Sequence, residues 1–299
     1  DLGTAQNMTP LNALQSLPWR NLQATQDSRV ESISGEHYAD EMLLRNTACS
    51  GCPVGCIHVG VLREQFADQH RFKYSQVAYD YELLFALGSM LGVTDPSSVL
   101  SLIHAVEKQG LDAISTGVAL AWATEAQDKK LVSVQDTGLE LSFGDAETYK
   151  AAVWKLGAMS NQFYARLALG VETAVQSYGG EDFACVLGQE MAGYATGESY
   201  FTLQSLGFRH SHLDAGAYSL DQEMEDIDPD STVRFLVQDE RARCLLTGLV
   251  ACLFARSVYK QETIAQCFKA LGYTQLADNL ELKAEEVQKL RWRTRFRSG

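Results

Sequence analysis

The sequence has no uninterrupted apolar run of membrane-spanning length, and its first residues show no basic-plus-apolar leader. A helix that crosses a bilayer needs about 20 consecutive apolar residues, and a secretory leader needs a basic end followed by an apolar stretch. Because neither pattern is present, we expect a soluble, cytoplasmic protein without a membrane span. No repeat period or low-complexity segment interrupts the 299 residues.

Positive charge is scarce. The chain has 25 Lys and Arg against 38 Asp and Glu, a formal net charge of −13. A nucleic acid would be repelled by this charge, and no basic stripe interrupts the acidic surface, so we expect no nucleic-acid partner. One basic cluster occupies residues 289–297. We interpret it as the solvated cationic end of a helix.

Cysteine is also sparse, since the chain contains only seven. The number is odd and three of the seven lie close together, so a disulfide framework is not expected and a reducing compartment fits the composition. The close group is the segment Cys49-Ser50-Gly51-Cys52-Pro53-Val54-Gly55-Cys56, which we call the cysteine loop. Its spacing is C-x2-C-x3-C.

Glycine and proline in the cysteine loop favour a tight turn in which the three sulfurs converge on one point. Three thiolates at one point suit an iron–sulfur cluster or a zinc ion, and either needs a fourth ligand. The remaining cysteines are Cys185, Cys244, Cys252 and Cys267. Spacing does not choose between Cys252 and Cys244. A structural zinc site in a non-catalytic helical module is the alternative to an enzyme.

Apolar periodicity and capping residues predict a mainly α, multihelical protein with little sheet. Helices are predicted over residues 36–45, 77–93, 96–110, 112–126, 161–177, 231–246, 248–259, 261–271 and from 277 onward, with another helix starting at Asp145. Asp95 and Pro96 are expected at the start of the helix that ends at Gly110. A short strand is predicted over 57–61, a polar connector to 73, extended pieces within 130–144, and loops over 181–230. The Gly179–Gly180 pair predicts a boundary between residues 1–180 and 181–299.

Several motifs occur in an order that resembles one enzyme family. They are the cysteine loop, Tyr81-Glu82 followed by Leu87-Gly88-Ser89, the segment 110–117, Phe143-Gly144 and Gly188-Gln189-Glu190. Together they resemble the C-terminal two-thirds of the tungsten-containing aldehyde ferredoxin oxidoreductases, over nearly all of the chain. The resemblance implies two all-α domains, with the N-terminal β domain of the family absent from this chain.

The resemblance also implies the cofactors. The family holds tungsten, or in some members molybdenum, between two pyranopterins beside a [4Fe-4S] cluster. The cluster ligands would be Cys49, Cys52 and Cys56 together with Cys252, which precedes Leu253-Phe254 as in the family; Cys244 is the alternative. Pterin contacts would come from two segments, of which the first contains Glu107, Gly110, Leu111 and Asp112, and the second contains Val250 and Ala251. Without the resemblance, these segments would be interpreted as a helix C-cap and a buried helix.

Glu82 and His210 resemble the family residues beside the metal, with His212 as the alternative histidine. The implied activity is oxidation of aldehydes to carboxylic acids, with electrons passing through the cluster to ferredoxin or to an iron–sulfur partner subunit. Some family members instead reduce aromatic acyl-CoA thioesters at low potential, so an aromatic acid derivative is the alternative substrate. A homodimer is compatible with the family pattern.

Overall fold

The computed structural model describes residues 2–52, 54–223 and 228–298. The chain divides into two compact units, Asp1–Thr196 and Gly197–Gly299, here called unit 1 and unit 2. The Gly179–Gly180 pair lies inside unit 1, and both glycines have a left-handed φ, 83° and 84°. The prediction of a mainly α, multihelical chain is confirmed.

A small antiparallel sheet lies in unit 1, with the strand order β1–β2–β3. Its strands are β1 Leu43–Thr47, β2 Ile57–Ala67 and β3 Arg71–Tyr79. The strand predicted over 57–61 is therefore longer, and the polar connector predicted to follow it is a hairpin. Pairing across the hairpin explains the difference, because Glu64 lies opposite Lys73, and the Arg63 guanidinium lies 3.8 Å from the centre of the Phe72 ring. Such cross-strand partners are invisible to a local pattern.

The helices of unit 1 come before and after this sheet in the sequence. They are α1 Met8–Ala13, α2 Gly35–His37, α3 Tyr81–Leu87, α4 Pro96–Gln109, α5 Ala113–Asp128, α6 Val134–Thr137, α7 Ala146–Gly157, α8 Gln162–Leu167 and α9 Val171–Tyr178. The helix starts predicted at Asp95, Asp112 and Asp145 are confirmed. Asp95, Asp112 and Asp145 each accept a hydrogen bond from the backbone N–H three residues on, which satisfies a donor that the first helical turn leaves unpaired.

Four predictions in unit 1 are wrong in detail. The helix predicted over 36–45 stops at Met42, where β1 begins, and the helix predicted from Val77 begins at Tyr81 because the preceding residues belong to β3. The predicted extended pieces within 130–144 are replaced by α6 and coil. The helix predicted over 161–177 is broken at Gly170, whose φ of 103° no helix accommodates.

Unit 2 contains α10 Glu198–Leu206, α11 Ala217–Glu223, α12 Pro229–Gly248, α13 Gln261–Ala270, α14 Thr274–Asp278 and α15 Leu280–Ser298. The first two lie in a region predicted to be loops. The helix predicted over 248–259 is wrong, because α12 ends there: Ala251 N–H donates to Leu246 O at 2.9 Å, and Val250 turns into the left-handed region with φ 58°. Only one 3-10 turn, Leu253–Ala255, follows before α13.

The basic cluster at 289–297 lies on α15, but it is only partly solvated as predicted. Arg295 donates to Phe208 O, and the Arg291 guanidinium lies 4.3 Å from the centre of the Phe208 ring. Arg293 and Arg297 are exposed. Among the described helices, no single one has the length and composition to cross a membrane. Tyr81–Leu91 and Pro96–Gln109 meet that test only as a pair, which bends by 111°.

Candidate functional site

The cysteine loop joins β1 to β2. Cys49 is exposed, Cys52 and Cys56 are partly buried, and all three are free thiols. Gly51 and Gly55 have left-handed φ values of 76° and 65°, and Cys52 N–H donates to Cys49 O at 3.0 Å across the turn at Ser50–Gly51. Pro53, which the sequence also places in this turn, lies outside the described residues.

The donor set of the loop suits an iron–sulfur cluster, since unpaired thiols in one short segment are the ligands that such clusters use. The convergence of sulfurs that the loop sequence predicts is not present: among the described His, Cys, Asp and Glu residues, no three are arranged to hold a metal ion. The residues therefore fit a cluster by their chemistry and by their position on one loop, with a fourth ligand required from elsewhere in the chain.

The loop lies at the same end of the sheet as the start of α3. His58, the second residue of β2, pairs with Tyr79, the last residue of β3, and the His58 imidazole hydrogen-bonds Cys56 O at 3.1 Å through Nδ1. Because a carbonyl only accepts, Nδ1 carries the proton. Asp80 follows directly and caps α3, whose second residue is Glu82. The sheet register thus brings the predicted cluster loop and the predicted catalytic carboxylate to the same end of the sheet.

Glu82 has an unusual environment for a carboxylate. Tyr194 Oη donates to Glu82 Oε1 at 2.7 Å, and the Tyr194 ring lies 4.9 Å from that of Tyr81, whose own hydroxyl donates to Gly193 O. Burial, followed by the negative charge of Asp80, raises the pKa of Glu82 to about 6, against the opposing hydrogen bond from Tyr194. A carboxyl with that pKa exchanges protons near neutral pH.

Tyr194 is the candidate site residue that sequence reasoning missed. It lies 112 residues after Glu82, and no spacing rule connects them. The adjoining Gly193 could have signalled it, because a Cβ at that position would come within 2.4 Å of the Phe85 ring on α3. That close approach places the coil segment around Tyr194 against the helix that carries Glu82.

The first predicted pterin segment is the junction between α4 and α5. Gly110 adopts a left-handed φ of 66° and closes α4, and Leu111 N–H donates to Val106 O at 3.2 Å. Asp112 caps α5 by accepting from Ser115 N–H at 2.8 Å. Glu107 is exposed, and the space where a Cβ on Gly110 would lie is open. The junction therefore presents a carboxylate and an open backbone turn to the exterior of unit 1.

In unit 2 the two candidate fourth ligands differ sharply. Cys252 is exposed and precedes the 3-10 turn after α12. Cys244 is buried in α12, where Arg291 donates to its sulfur and burial raises its pKa. Val250, in the second predicted pterin segment, is 94% exposed, and Ala251 packs against the apolar cluster of Leu246. The accessible thiol is thus Cys252.

The two candidate histidines also differ. The His210 ring hydrogen-bonds Gln204 O at 2.9 Å through Nδ1 and Arg295 through Nε2. A carbonyl accepts and a guanidinium donates, so both bonds are satisfied by the neutral ring with its proton on Nδ1. His212 is buried, and burial followed by the charge of Arg243 lowers its pKa to about 4. Of the two imidazoles, His212 is therefore the one whose surroundings favour the neutral form.

The chain is similar in sequence to known oxidoreductases. A protein of Pyrococcus horikoshii described as a tungsten-containing aldehyde ferredoxin oxidoreductase is 31% identical over 197 residues, covering 64% of this chain and 31% of the relative. The aliphatic sulfonate oxidoreductase, WOR-like subunit, of Pyrococcus furiosus is 34% identical over 99 residues, or 33% of this chain and 15% of the relative. The chain therefore spans about a third of the length of the first of these relatives.

A solved structure has the same fold. It is the active site complex BamBC of benzoyl coenzyme A reductase with 1,5-dienoyl-CoA, with a TM-score of 0.69 and 15% identity over 98% of this chain and 52% of that one. The model of the family described as aldehyde ferredoxin oxidoreductase, domains 2 & 3, matches residues 1–299. The chain therefore belongs to the aldehyde ferredoxin oxidoreductase family, in the part that comprises its second and third domains.

Proposed function

We propose that this chain supplies the two helical domains of an oxidoreductase that converts aldehydes to carboxylic acids. The observation that carries the proposal is the Glu82–Tyr194 pair, which lies at the end of the sheet that bears the cysteine loop. The Glu82 carboxyl of this pair has a pKa of about 6. Family membership supplies the oxidoreductase class. The acceptor would be ferredoxin or an iron–sulfur partner subunit.

Cys49, Cys52 and Cys56 would hold a [4Fe-4S] cluster with Cys252 as the fourth ligand, which the exposure of that thiol supports. The junction of α4 and α5 and the segment with Val250 would contact the pterins of a tungsten or molybdenum centre. When bound, these groups supply a two-electron oxidation and a one-electron exit path. The residues of the chain bind them and manage the protons.

Glu82 would take one of those protons. Conversion of an aldehyde and water to a carboxylic acid releases two protons and two electrons, so a base beside the reacting carbon is required. With a pKa of about 6, Glu82 is ionised in roughly nine of ten molecules at pH 7 and holds a captured proton long enough to pass it on. Tyr194 holds the carboxylate in one orientation through Oε1.

An imidazole N–H would donate a hydrogen bond to the substrate oxygen. His210 is the first candidate, and it serves only if Nε2 leaves Arg295, faces the substrate and carries the ring proton in place of Nδ1. His212 is the second candidate. Asparagine variants distinguish the two candidates. We expect His210→Asn to raise KM for a small aldehyde and His212→Asn to leave KM unchanged.

The decisive experiment uses the holoprotein, purified without oxygen. We expect iron, tungsten or molybdenum, broad visible absorption and aldehyde oxidation. Glu82→Gln should lower kcat by about 100-fold or more, the usual loss when a general base is removed, while metal content stays constant. Glu140→Gln, which changes an exposed carboxylate, is the matched control. Stoichiometric zinc without iron would refute the enzyme, and acyl-CoA reduction without aldehyde oxidation would replace the substrate class.

Iron counting tests the fourth ligand separately. Cys252→Ser should lose cluster iron, whereas Cys244→Ser should keep it. If the two variants behave in the opposite way, Cys244 is the ligand and the exposure argument is wrong.

A further inference from the structure

Unit 2 contains a cavity of about 510 Å³ that the proposed redox function does not use. It lies between α12, the segment after the 3-10 turn, the start of α13 and α15. Leu246, Ile264 and Ala284 form a buried apolar floor, and Tyr259, which is 45% exposed, lies at the rim. Cavities of this size are typical of sites for small organic molecules, which range from about 300 to 1,000 Å³.

The charged side chains that line this cavity are four cations and two carboxylates. Two of its arginines are already paired: Arg243 Nε donates to Asp239 Oδ2 at 2.7 Å, and Arg241 Nη1 lies 3.5 Å from Glu285 Oε2. A further lining carboxylate, Glu281, has a side chain that is 72% exposed. The internal ion pairs therefore cancel both of these arginine charges.

The remaining two cations, Arg256 and Lys260, lie four residues apart and line the cavity together. Neither forms an ion pair with any residue in the described part of the chain, and the one hydrogen bond of the Arg256 guanidinium is to Leu253 O at 3.0 Å. Lys260 also directly precedes α13, whose first N–H groups no side chain caps. Both residues are exposed, so their charged groups are accessible to a ligand from solution.

We propose that this cavity binds a small phosphate-bearing molecule with an apolar body. The phosphate would lie between Arg256 and Lys260, and the apolar body would lie on the Ile264 floor and against the Tyr259 ring. Two adjacent cations match a dianion better than a single carboxylate, because an arginine presents a planar pair of donors to phosphate oxygens and a lysine adds a point charge.

Isothermal titration calorimetry on the full chain tests the proposal, with phenyl phosphate as the probe. We expect binding with a Kd of about 1 mM or tighter, near −4 kcal/mol. The double variant Arg256→Gln/Lys260→Gln should weaken it by about tenfold, since it removes two charge-assisted contacts. The matched control, Arg293→Gln/Arg297→Gln, removes two exposed cations from α15 and should leave Kd within about twofold, the range expected from screened distant charges.

Further ligands and one further variant define the class of ligand that the cavity binds. Inorganic phosphate should bind more weakly than phenyl phosphate, and Tyr259→Ala should weaken phenyl phosphate while leaving inorganic phosphate unchanged. Absence of phenyl phosphate binding, an equal loss in the control variant, or tighter binding of benzoate than of phenyl phosphate would each overturn the proposal. Matching thermal unfolding of both double variants and the wild type would show that the affinity differences do not come from misfolding.

Discussion

The raised pKa of Glu82 leads to a prediction that can be tested without cofactor or substrate. Its folded-state pKa is about 6 against an ordinary value of 4.5, because burial and then Asp80 disfavour the ionised form. A group with a raised pKa contributes stability at low pH and loses it as the pH rises through the folded value. We therefore expect the free energy of unfolding of the wild type to fall between pH 4.5 and pH 7 by an amount that depends on Glu82.

The magnitude follows from the shift. One pKa unit corresponds to about 1.4 kcal/mol, so ionising Glu82 costs the folded state about 2 kcal/mol by pH 8. Glu82→Gln keeps the shape of the side chain and cannot ionise, so it should not show this loss. Tyr194→Phe should enlarge the loss, because the hydrogen bond from Tyr194 Oη at 2.7 Å lowers the pKa of Glu82.

Urea denaturation at pH steps from 4 to 8 measures the effect. The difference between wild type and Glu82→Gln should change by about 2 kcal/mol across the range, in favour of the variant at high pH. Glu140→Gln should run parallel to the wild type, since that residue is exposed. Parallel curves for Glu82→Gln and wild type would show that Glu82 is not desolvated, and the catalytic assignment would lose its main physical support.

The remaining predictions concern stability measured by urea denaturation. The pKa of His212 is lowered to about 4, so the wild type should lose up to about 3 kcal/mol of its free energy of unfolding as the pH falls from 6.5 toward 4. His212→Asn should not show this loss. Glu64→Gln should cost about 1 to 2 kcal/mol at pH 7 and nothing near pH 2; burial raises the pKa of Glu64, but Lys150 and Lys73, each at 3.0 Å, outweigh it and lower the pKa to about 2. Gly117→Ala should destabilise by about 1 to 3 kcal/mol, since its Cβ would lie 2.1 Å from Ala86 O, whereas Gly248→Ala, whose Cβ meets open space, should be neutral or stabilising. Val250→Gly should stabilise by about 0.5 kcal/mol by relieving the left-handed φ of an exposed β-branched residue, and a destabilised variant would show that the Val250 side chain makes contacts that stabilise the fold.

Sequence reasoning succeeded where the interactions are local. Asp95, Asp112 and Asp145 cap helices because each bonds an N–H three residues away, which a pattern of residue types reveals. It failed where distant segments decide the conformation. Residues 62–67 and 71–73 look like a polar connector, yet they form a hairpin because their partners face one another across it.

The candidate site divides in the same way. The cysteine loop, Glu82 and the ordered motifs were visible in the sequence alone, because ligand chemistry depends on residue type and short spacing. The pairing of His58 with Tyr79, the bond from Tyr194 to Glu82 and the raised pKa of that carboxyl came only with the tertiary structure. The sequence by itself determined the mainly α class and the thiol donors. Tertiary packing decided which acid is desolvated and which thiol is buried, since the partner of Glu82 lies 112 residues away and that of Cys244 lies 47 residues away.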